Sequence, residues 1–202
     1  MGRVAILANV VGWIAALLTA TLALPQFVRI AQVKAIDGVS IRAWQAIWWS
    51  AAAWSWYGIF TGRLQLIACN FLMVLGTAAV LALISRHSTM PILQLWIVPL
   101  IGAAAAVMIW TMLGELAFAL TMTVPALGSR AAQLATTVRS VDIFGLSVAS
   151  LAIGALAQVL WAIYGALTQA VAIVILNVPG AVLLGLAVGV VLHRRSKAVH
   201  RV

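Results

Sequence analysis

Long uncharged apolar stretches are the feature that most constrains this chain, in which 65% of residues are hydrophobic and 7% are charged. A helix needs about 20 apolar residues to cross a hydrocarbon core of about 30 Å. Seven stretches have this character, at 4–28, 43–62, 64–85, 91–113, 116–138, 143–168 and 170–192, and all are uncharged apart from Arg130 in the fifth. They are too long for barrel strands, which span about ten residues. The sequence therefore predicts an all-α integral membrane protein with seven transmembrane helices, the first of them an uncleaved helix.

The basic residues predict the orientation of these helices, because Lys and Arg are retained on the cytoplasmic side. With the N-terminus outside, ten of the twelve basic residues lie in inner segments, and only Arg3 and Arg63 lie outside. We therefore expect a plasma-membrane protein with a cytoplasmic C-terminus. The net charge of +9 then reflects topology rather than nucleic-acid binding. The basic tail, 193–202, is predicted to contact anionic lipid head groups.

Residues typical of enzymes and metal sites are missing from the sequence. There is no His-Glu zinc pair, no serine nucleophile elbow and no glycine-rich phosphate loop. A single cysteine, Cys69, excludes an internal disulfide and is expected to serve packing. We expect a protein that is not an enzyme and that has neither a metal nor a cofactor.

An internal repeat appears when the sequence is shifted by 107 residues against itself. Nine identities fall between residues 26 and 70, pairing Gln26 with Gln133, Ile36 with Ile143, Gly38 with Gly145, Ser40 with Ser147, Trp54 with Trp161, Tyr57 with Tyr164, Gly58 with Gly165, Thr61 with Thr168 and Asn70 with Asn177. Each copy covers three predicted helices, and one helix separates the copies. The predicted domains are a first repeat at 1–88, a linker helix at 89–113, a second repeat at 114–192 and the tail. Because three is odd, the extra helix makes the two bundles parallel in a 3+1+3 layout.

Pro25-Gln26, a basic stretch and Gly38-Val39-Ser40 together resemble the PQ-loop motif of the SWEET and SemiSWEET sugar transporters. The 3+1+3 layout is similar to that of a full SWEET. The resemblance implies a substrate pocket between the two bundles and alternating access with prolines of the first helices as hinges. It implies that the pocket is lined by Trp54, Asn70, Trp161 and Asn177, with Pro25 and Gln26 at the first hinge.

The second repeat departs from this motif, since Ala132 stands where the hinge proline is expected while Gln133 is kept. Pro125 lies seven residues earlier and on nearly the same helix face. We expect it to kink the helix at a displaced point. The second helices carry no early proline, unlike those of eukaryotic members, which favours a prokaryotic branch.

The paired tryptophans and asparagines are predicted to share one membrane level. Trp54 and Asn70 each lie eight residues from Gly62, and the second pair lies eight residues from Gln169. A tight hairpin puts all four about 12 Å below the outer turns. Amides bond hydroxyls and indoles stack on the C–H face of a ring, which together suit a neutral sugar. The alternative is that the asparagines join helices and the tryptophans fill space.

Other aromatic and glycine residues carry weaker signals. Tyr57 and Tyr164 are candidates either for ligand contact or for an interfacial aromatic belt. Gly58 and Gly165 are expected to allow close helix approach. Four tryptophans without repeat partners are predicted to be belt or lipid-facing residues: Trp44, Trp48, Trp49 and Trp56.

The acidic residues decide the predicted mode of transport, because proton relays need ionisable groups within the membrane. Asp37, Glu115 and Asp142 all fall at helix ends or loops. We therefore predict passive, bidirectional uniport of a neutral mono- or disaccharide. The alternatives are a proton-coupled amino-acid exporter that resembles cystinosin, and a non-transporting receptor that resembles the KDEL receptors. Both would need charged residues at pocket depth, where the sequence predicts none. A homo-oligomer remains open.

Overall fold

The protein is described by a computed structural model over residues 2–21, 41–87, 90–139 and 148–199. These residues form helices and short links, with no strand among them. In chain order the helices are α1 (Gly2–Thr21), α2 (Ile41–Phe60), α3 (Leu64–His87), α4 (Ile92–Arg139), α5 (Val148–Leu167) and α6 (Val171–Val199). The prediction of an all-α fold is confirmed.

Helix α4 is interrupted at Gly114, whose backbone angles are φ 83° and ψ −176°. Only glycine adopts such a conformation without steric cost, because a Cβ would clash with the backbone. The interruption divides α4 into helical segments at 92–113 and 115–139. It falls between the fourth and fifth apolar stretches of the sequence.

Four helices in the described part of the chain are long and apolar enough to cross a membrane. They are Gly2–Thr21, Leu64–Arg86, Ile92–Gly128 and Val171–Arg194, and Leu151–Leu167 is apolar but shorter. Large apolar side chains are exposed on these helices, among them Leu17, Leu93 and Met112. Exposed apolar surface on this scale fits contact with lipid rather than water. The chain is therefore an α-helical membrane protein.

The residues group into two compact units, one formed by Thr19–Phe118 and the other by Met1–Leu18 with Ala119–Val202. We call them the central unit and the terminal unit. This grouping places α1 with the C-terminal helices, whereas the sequence repeat predicts α1 together with α2 and α3. The predicted repeat boundaries come from comparing the sequence with itself, and they stay a prediction.

The core of the central unit corrects the interpretation of two tryptophans. Trp44, predicted to be a belt or lipid-facing residue, is 9% exposed and packs in a cluster with Leu81 and Leu95. Trp49 also faces the protein, since a Cβ on Gly102 would lie 2.8 Å from its Cγ. Both rings pack between helices. The sequence does not show this, because neither has a tryptophan counterpart in the second repeat. Trp56 is exposed, as predicted.

A buried glutamine in the central unit satisfies backbone groups of α4. The Gln45 Nε2 donates hydrogen bonds to the Gln94 and Leu95 carbonyl oxygens, at 3.0 and 2.9 Å. Pro99, four residues after Leu95, has no N–H and therefore cannot supply the helical bond to that carbonyl. Gln45 provides the donor that the helix lacks.

The terminal unit has a small apolar core around Leu151 and Val191. Its last helix continues to Val199, so the beginning of the predicted basic tail is helical. Arg194 Nη1 donates a hydrogen bond to the Thr137 carbonyl oxygen at 2.9 Å. Thr137 lies in the last turn of α4, where carbonyls lack helical partners, so this arginine caps the end of α4.

Two helical hairpins, α2–α3 and α5–α6, are related by a shift of 107 residues, since α2 and α5 have equivalent bounds and α3 and α6 begin at equivalent residues. The Arg63 N–H donates to the Gly58 carbonyl and the Ala170 N–H to the Gly165 carbonyl, each at 2.8 Å. The next inner bonds, from Gly62 to Ile59 and from Gln169 to Ala166, are both 3.3 Å. Each turn is thus a Schellman motif, with a left-handed residue after the helix.

Two glycines let the helices of each hairpin approach closely. A Cβ on Gly58 would lie 3.0 Å from a side-chain atom of Ile67, and a Cβ on Gly165 would lie 3.0 Å from Ile173. Val174, the repeat counterpart of Ile67, would also lie 3.0 Å from a Cβ on Gly165, so the prediction of close approach is confirmed.

Candidate functional site

Trp54 is buried in an aromatic cluster of the central unit. Its ring meets Tyr57 edge-on at 5.4 Å between centroids and Phe118 edge-on at 5.1 Å. Tyr57 and Phe118 stack at 5.3 Å with an interplanar angle of 8°. The three rings hold one another in fixed orientations, since edge-to-face and offset-stacked geometries are the favourable ones.

Tyr57 also connects this cluster to the residue that follows the break in α4. Its Oη donates a hydrogen bond to Glu115 Oε1 at 2.6 Å. The Arg63 guanidinium carbon lies 5.6 Å from the centroid of the same ring, within cation–π range. The buried Tyr57 is therefore hydrogen-bonded to a carboxylate and lies beside a cation. These contacts within the protein differ from the lipid head-group contacts of an interfacial belt residue.

The terminal unit repeats the first part of this arrangement. The rings of Trp161 and Tyr164 meet edge-on at 5.4 Å and 87°, against 5.4 Å and 82° for Trp54 and Tyr57. All four rings are buried. The hydroxyls of Thr61 and Thr168 donate to the carbonyls of the tyrosines in their own hairpins, at 2.6 and 2.8 Å. Repetition thus extends from sequence to side-chain geometry.

The two asparagines make equivalent bonds within their own helices. Asn70 Nδ2 donates to the Leu66 carbonyl oxygen at 2.9 Å, and Asn177 Nδ2 donates to the Ile173 carbonyl oxygen at 2.7 Å. Asn177 is 5% exposed and Asn70 is half-buried. Asn70 Nδ2 also lies 3.4 Å from Cys69 Sγ, a buried free thiol that fits the predicted packing role.

These bonds orient each amide and use part of its capacity. An asparagine side chain offers two N–H donors and one carbonyl acceptor. The bond to the preceding turn occupies one donor, and the amide plane is held by it. An amide held in this way can bond a hydroxyl with its remaining groups at a lower entropic cost than a freely rotating one.

The predicted hinge residues are only partly described. Pro25 and Gln26 lie outside the described residues. Pro125 is exposed within the helical segment 115–139, and the backbone of Gln133 is helical in the same segment. The non-helical angles within Ile92–Arg139 occur at Gly114, eleven residues before Pro125. A displaced kink at Pro125 stays a prediction.

A shallow surface depression lies beside the aromatic cluster in the central unit. Tyr57, Phe60, Trp110 and Phe118 are among the residues that line it, whereas Trp54 and Asn70 are not. Phe60 and Trp110 stack at 4.5 Å along its wall. This depression has no room for even one water molecule, so it is not the predicted sugar pocket.

Sequence reasoning missed several residues with polar chemistry. Glu115 was assigned to a helix end without a partner, and its bond to Tyr57 was not foreseen. In the terminal unit, Arg130 Nη1 and Gln158 Oε1 are buried beside Gly180. The sequence places Arg130 in an inner segment and does not predict that its side chain comes within about one helical turn of Asn177, which precedes Gly180 by three residues. The repeat alignment contains a signal for this, since Ala23 and Ala51 are the counterparts of Arg130 and Gln158.

No protein-family model matches the chain, and no curated protein matches it. Within the described residues, no group of three or more His, Cys, Asp or Glu side chains is placed to hold a metal ion.

Proposed function

We propose that this protein is a facilitative transporter of a neutral mono- or disaccharide. The observation that carries the proposal is the repeated hairpin geometry. Each hairpin holds a buried Trp-Tyr pair in nearly the same orientation, together with an asparagine bonded to the preceding turn. A solute that meets equivalent groups from both repeats can be held by amides and indoles without a net charge.

The proposed transport cycle is alternating access between two parallel three-helix repeats joined by a linker helix, in the 3+1+3 arrangement. The break at Gly114 supports separate linker and repeat helices within α4. We place the N-terminus outside and the C-terminus in the cytoplasm of the plasma membrane, in agreement with the distribution of Lys and Arg. Pro25 and Gln26 supply one hinge, and Pro125 with Gln133 supplies the other.

Each part of the site has its own role in this mechanism. Asn70 and Asn177 bond sugar hydroxyls, while Trp54 and Trp161 offer their faces to the C–H side of the ring. Because Trp54 is covered by Tyr57 and Phe118 in this structure, the sugar reaches it in another state of the cycle. The tyrosines position the tryptophans. A missing amide would leave sugar hydroxyls without a partner, so we expect each asparagine to be required for transport.

One observation favours a second candidate, a proton-coupled exporter of amino acids. The Glu115 carboxylate is bonded to a buried tyrosine next to Trp54, and a carboxylate near the substrate layer is a group that proton coupling needs. Glu115 directly follows the Gly114 break, where we propose that the linker helix ends and the second repeat begins, and this position makes uniport the better supported function.

Uptake by reconstituted vesicles distinguishes these functions. The assay presents labelled D-glucose, D-fructose, D-galactose, sucrose and maltose, each down its gradient, with and without a pH difference. Sugar flux without a pH difference supports uniport. Labelled amino acids are presented to the same vesicles, and amino-acid flux that requires a pH difference supports the exporter.

A further inference from the structure

Three helices of the terminal unit bring polar groups together at one glycine. Arg130 comes from α4, Gln158 from α5 and Gly180 from α6. A Cβ on Gly180 would lie 3.0 Å from Arg130 Nη1 and would clash with Gln158 Oε1. The glycine therefore leaves room for the ends of both polar side chains.

Neither of these polar atoms has a hydrogen-bond partner in the described part of the chain, although both are buried. A guanidinium remains protonated in proteins and is costly to hold in an apolar interior. Nη1 is a donor and Oε1 is an acceptor. A hydroxyl complements both at once, because it accepts one hydrogen bond and donates another.

The position of the cluster relates it to the proposed sugar layer. Gln158 and Gly180 are each eleven residues from Gln169, so both lie about 16 Å below the outer turn. Trp161 and Asn177 lie one helical turn above them. The cluster thus lies on the cytoplasmic side of the proposed indole–amide pair, within the same hairpin.

A second unpartnered group lies on the same face of α4. Thr123 precedes Arg130 by seven residues, which is two helical turns. Thr123 is 5% exposed, and its Oγ1 is buried without a hydrogen-bond partner among the described residues. Thr123 and Arg130 thus place two polar side chains on one face of α4, about 10 Å apart along the helix axis.

The repeat shows that packing alone does not require these polar residues. Alanines occupy the corresponding first-repeat positions: Ala16 for Thr123, Ala23 for Arg130 and Ala51 for Gln158. Ala16 and Ala51 are themselves buried. Small apolar residues are thus buried at two of these positions in one repeat, while the other repeat has polar atoms there that lack hydrogen-bond partners among the described residues.

We propose that Arg130 and Gln158 form a hydroxyl-binding subsite for the transported sugar, one turn towards the cytoplasm from Trp161 and Asn177. This inference rests on the proposed function and makes the two repeats unequal. A sugar hydroxyl accepts a hydrogen bond from the guanidinium and donates one to the amide oxygen. Gly180 keeps the space between them open.

Thiol labelling tests whether water reaches the cluster, independently of any sugar. Gln158→Cys is introduced into a Cys69→Ala background and treated in vesicles with the water-soluble reagent 2-sulfonatoethyl methanethiosulfonate. The matched control is Val159→Cys, at an adjacent side chain that is 42% exposed on the apolar surface. We expect labelling of Gln158→Cys and much slower labelling of Val159→Cys. Absence of labelling at Gln158→Cys would mean a dry cluster and would overturn the subsite.

Transport kinetics then test the ligand chemistry. For D-glucose or sucrose, whichever the wild type carries faster, Arg130→Ala and Gln158→Ala should each raise KM about tenfold, the loss expected for one bonded hydroxyl. If D-glucose is the substrate, one monodeoxyglucose should have a KM in the wild type that is about tenfold above that of D-glucose. In Gln158→Ala, the same analogue and D-glucose should have similar KM values. Ala51→Gln, the equivalent change in the first repeat, should not restore the wild-type KM when it is added to Gln158→Ala.

The outcomes separate the subsite from the proposed function. Lack of sugar flux in the wild type rejects the proposed function. Wild-type flux that Arg130→Ala and Gln158→Ala leave unchanged rejects the subsite alone. Stronger inhibition by D-gluconate than by D-glucose would assign the guanidinium to a carboxylate and would also reject the hydroxyl subsite.

Discussion

Tyr57 Oη donates a hydrogen bond to Glu115 Oε1 at 2.6 Å, and this bond joins α2 to the first residue after the break in α4. Tyr57→Phe removes the donor, and we expect a loss of about 1 to 2 kcal/mol in stability, since bonds to charged groups are the stronger ones. Thermal unfolding in detergent, followed by tryptophan fluorescence, measures this loss.

A double-mutant cycle isolates the pair. Glu115→Gln keeps an acceptor and should cost less than Tyr57→Phe, and the double variant should be about as stable as Tyr57→Phe alone. Additive losses would mean that the two residues stabilise the protein separately. In transport, uniport predicts that Glu115→Gln retains sugar flux without a pH difference.

Serine substitution separates the structural role of the asparagines from ligand binding. Asn177→Ala loses both the bond to the Ile173 carbonyl and the amide. Asn177→Ser keeps a hydroxyl that can bond the same carbonyl, because serine bonds back to the preceding turn. We expect uptake to be abolished in both variants while the folded fraction in detergent stays near that of the wild type.

Asn70→Ala and Asn70→Ser provide the same comparison in the other hairpin, through the Leu66 carbonyl. Restored uptake in the serine variants would show that the asparagines serve only their own helices.

The hairpin turns provide a test of backbone strain. Gln169 has φ 55° and Gly62 has φ 66° at equivalent places. A residue with a Cβ pays about 1 kcal/mol or more in this region, while glycine does not. Gln169→Gly should therefore stabilise the protein by about 1 kcal/mol, and Gly62→Gln should destabilise it similarly. Unchanged unfolding temperatures in both variants would contradict this account of the turns.

Gln45 and Pro99 should be energetically coupled through the Leu95 carbonyl. Gln45→Leu leaves that carbonyl without a donor and should cost about 1 to 2 kcal/mol. Pro99→Ala restores a backbone N–H, so adding it to Gln45→Leu should recover part of the loss. If Pro99→Ala lowers the stability of the Gln45→Leu variant further, Gln45 does not stabilise the protein through its bond to the Leu95 carbonyl.

Features with a local cause were the ones that the sequence predicted well. Helix α2 was predicted at 43–62 and occurs at Ile41–Phe60, because its length follows from an uninterrupted apolar run. The close approach at Gly58 follows from a small residue repeated near a turn. The break between the fourth and fifth apolar stretches coincides with Gly114, whose conformation only glycine accommodates readily.

Features that depend on packing were predicted poorly. Trp44 was assigned to lipid or an interface, yet it lies in the core of the central unit, where the positions of α3 and α4 decide its burial. Tyr57 and Glu115 are far apart in sequence and meet through tertiary structure. A count of charges by segment places the backbone of Arg130 on one side of the membrane, but it does not say where a long side chain reaches. The unequal repeat positions were the available clue.

Uptake of labelled sugar by vesicles containing the purified protein tests the central claim most directly. The account predicts that at least one of D-glucose, D-fructose, D-galactose, sucrose and maltose enters down its gradient at equal internal and external pH. It also predicts that Asn70→Ala and Asn177→Ala each abolish this flux in folded protein. Flux that occurs only with a pH difference, or full flux in both folded variants, would contradict a neutral sugar carrier built on the repeated indole–amide pairs.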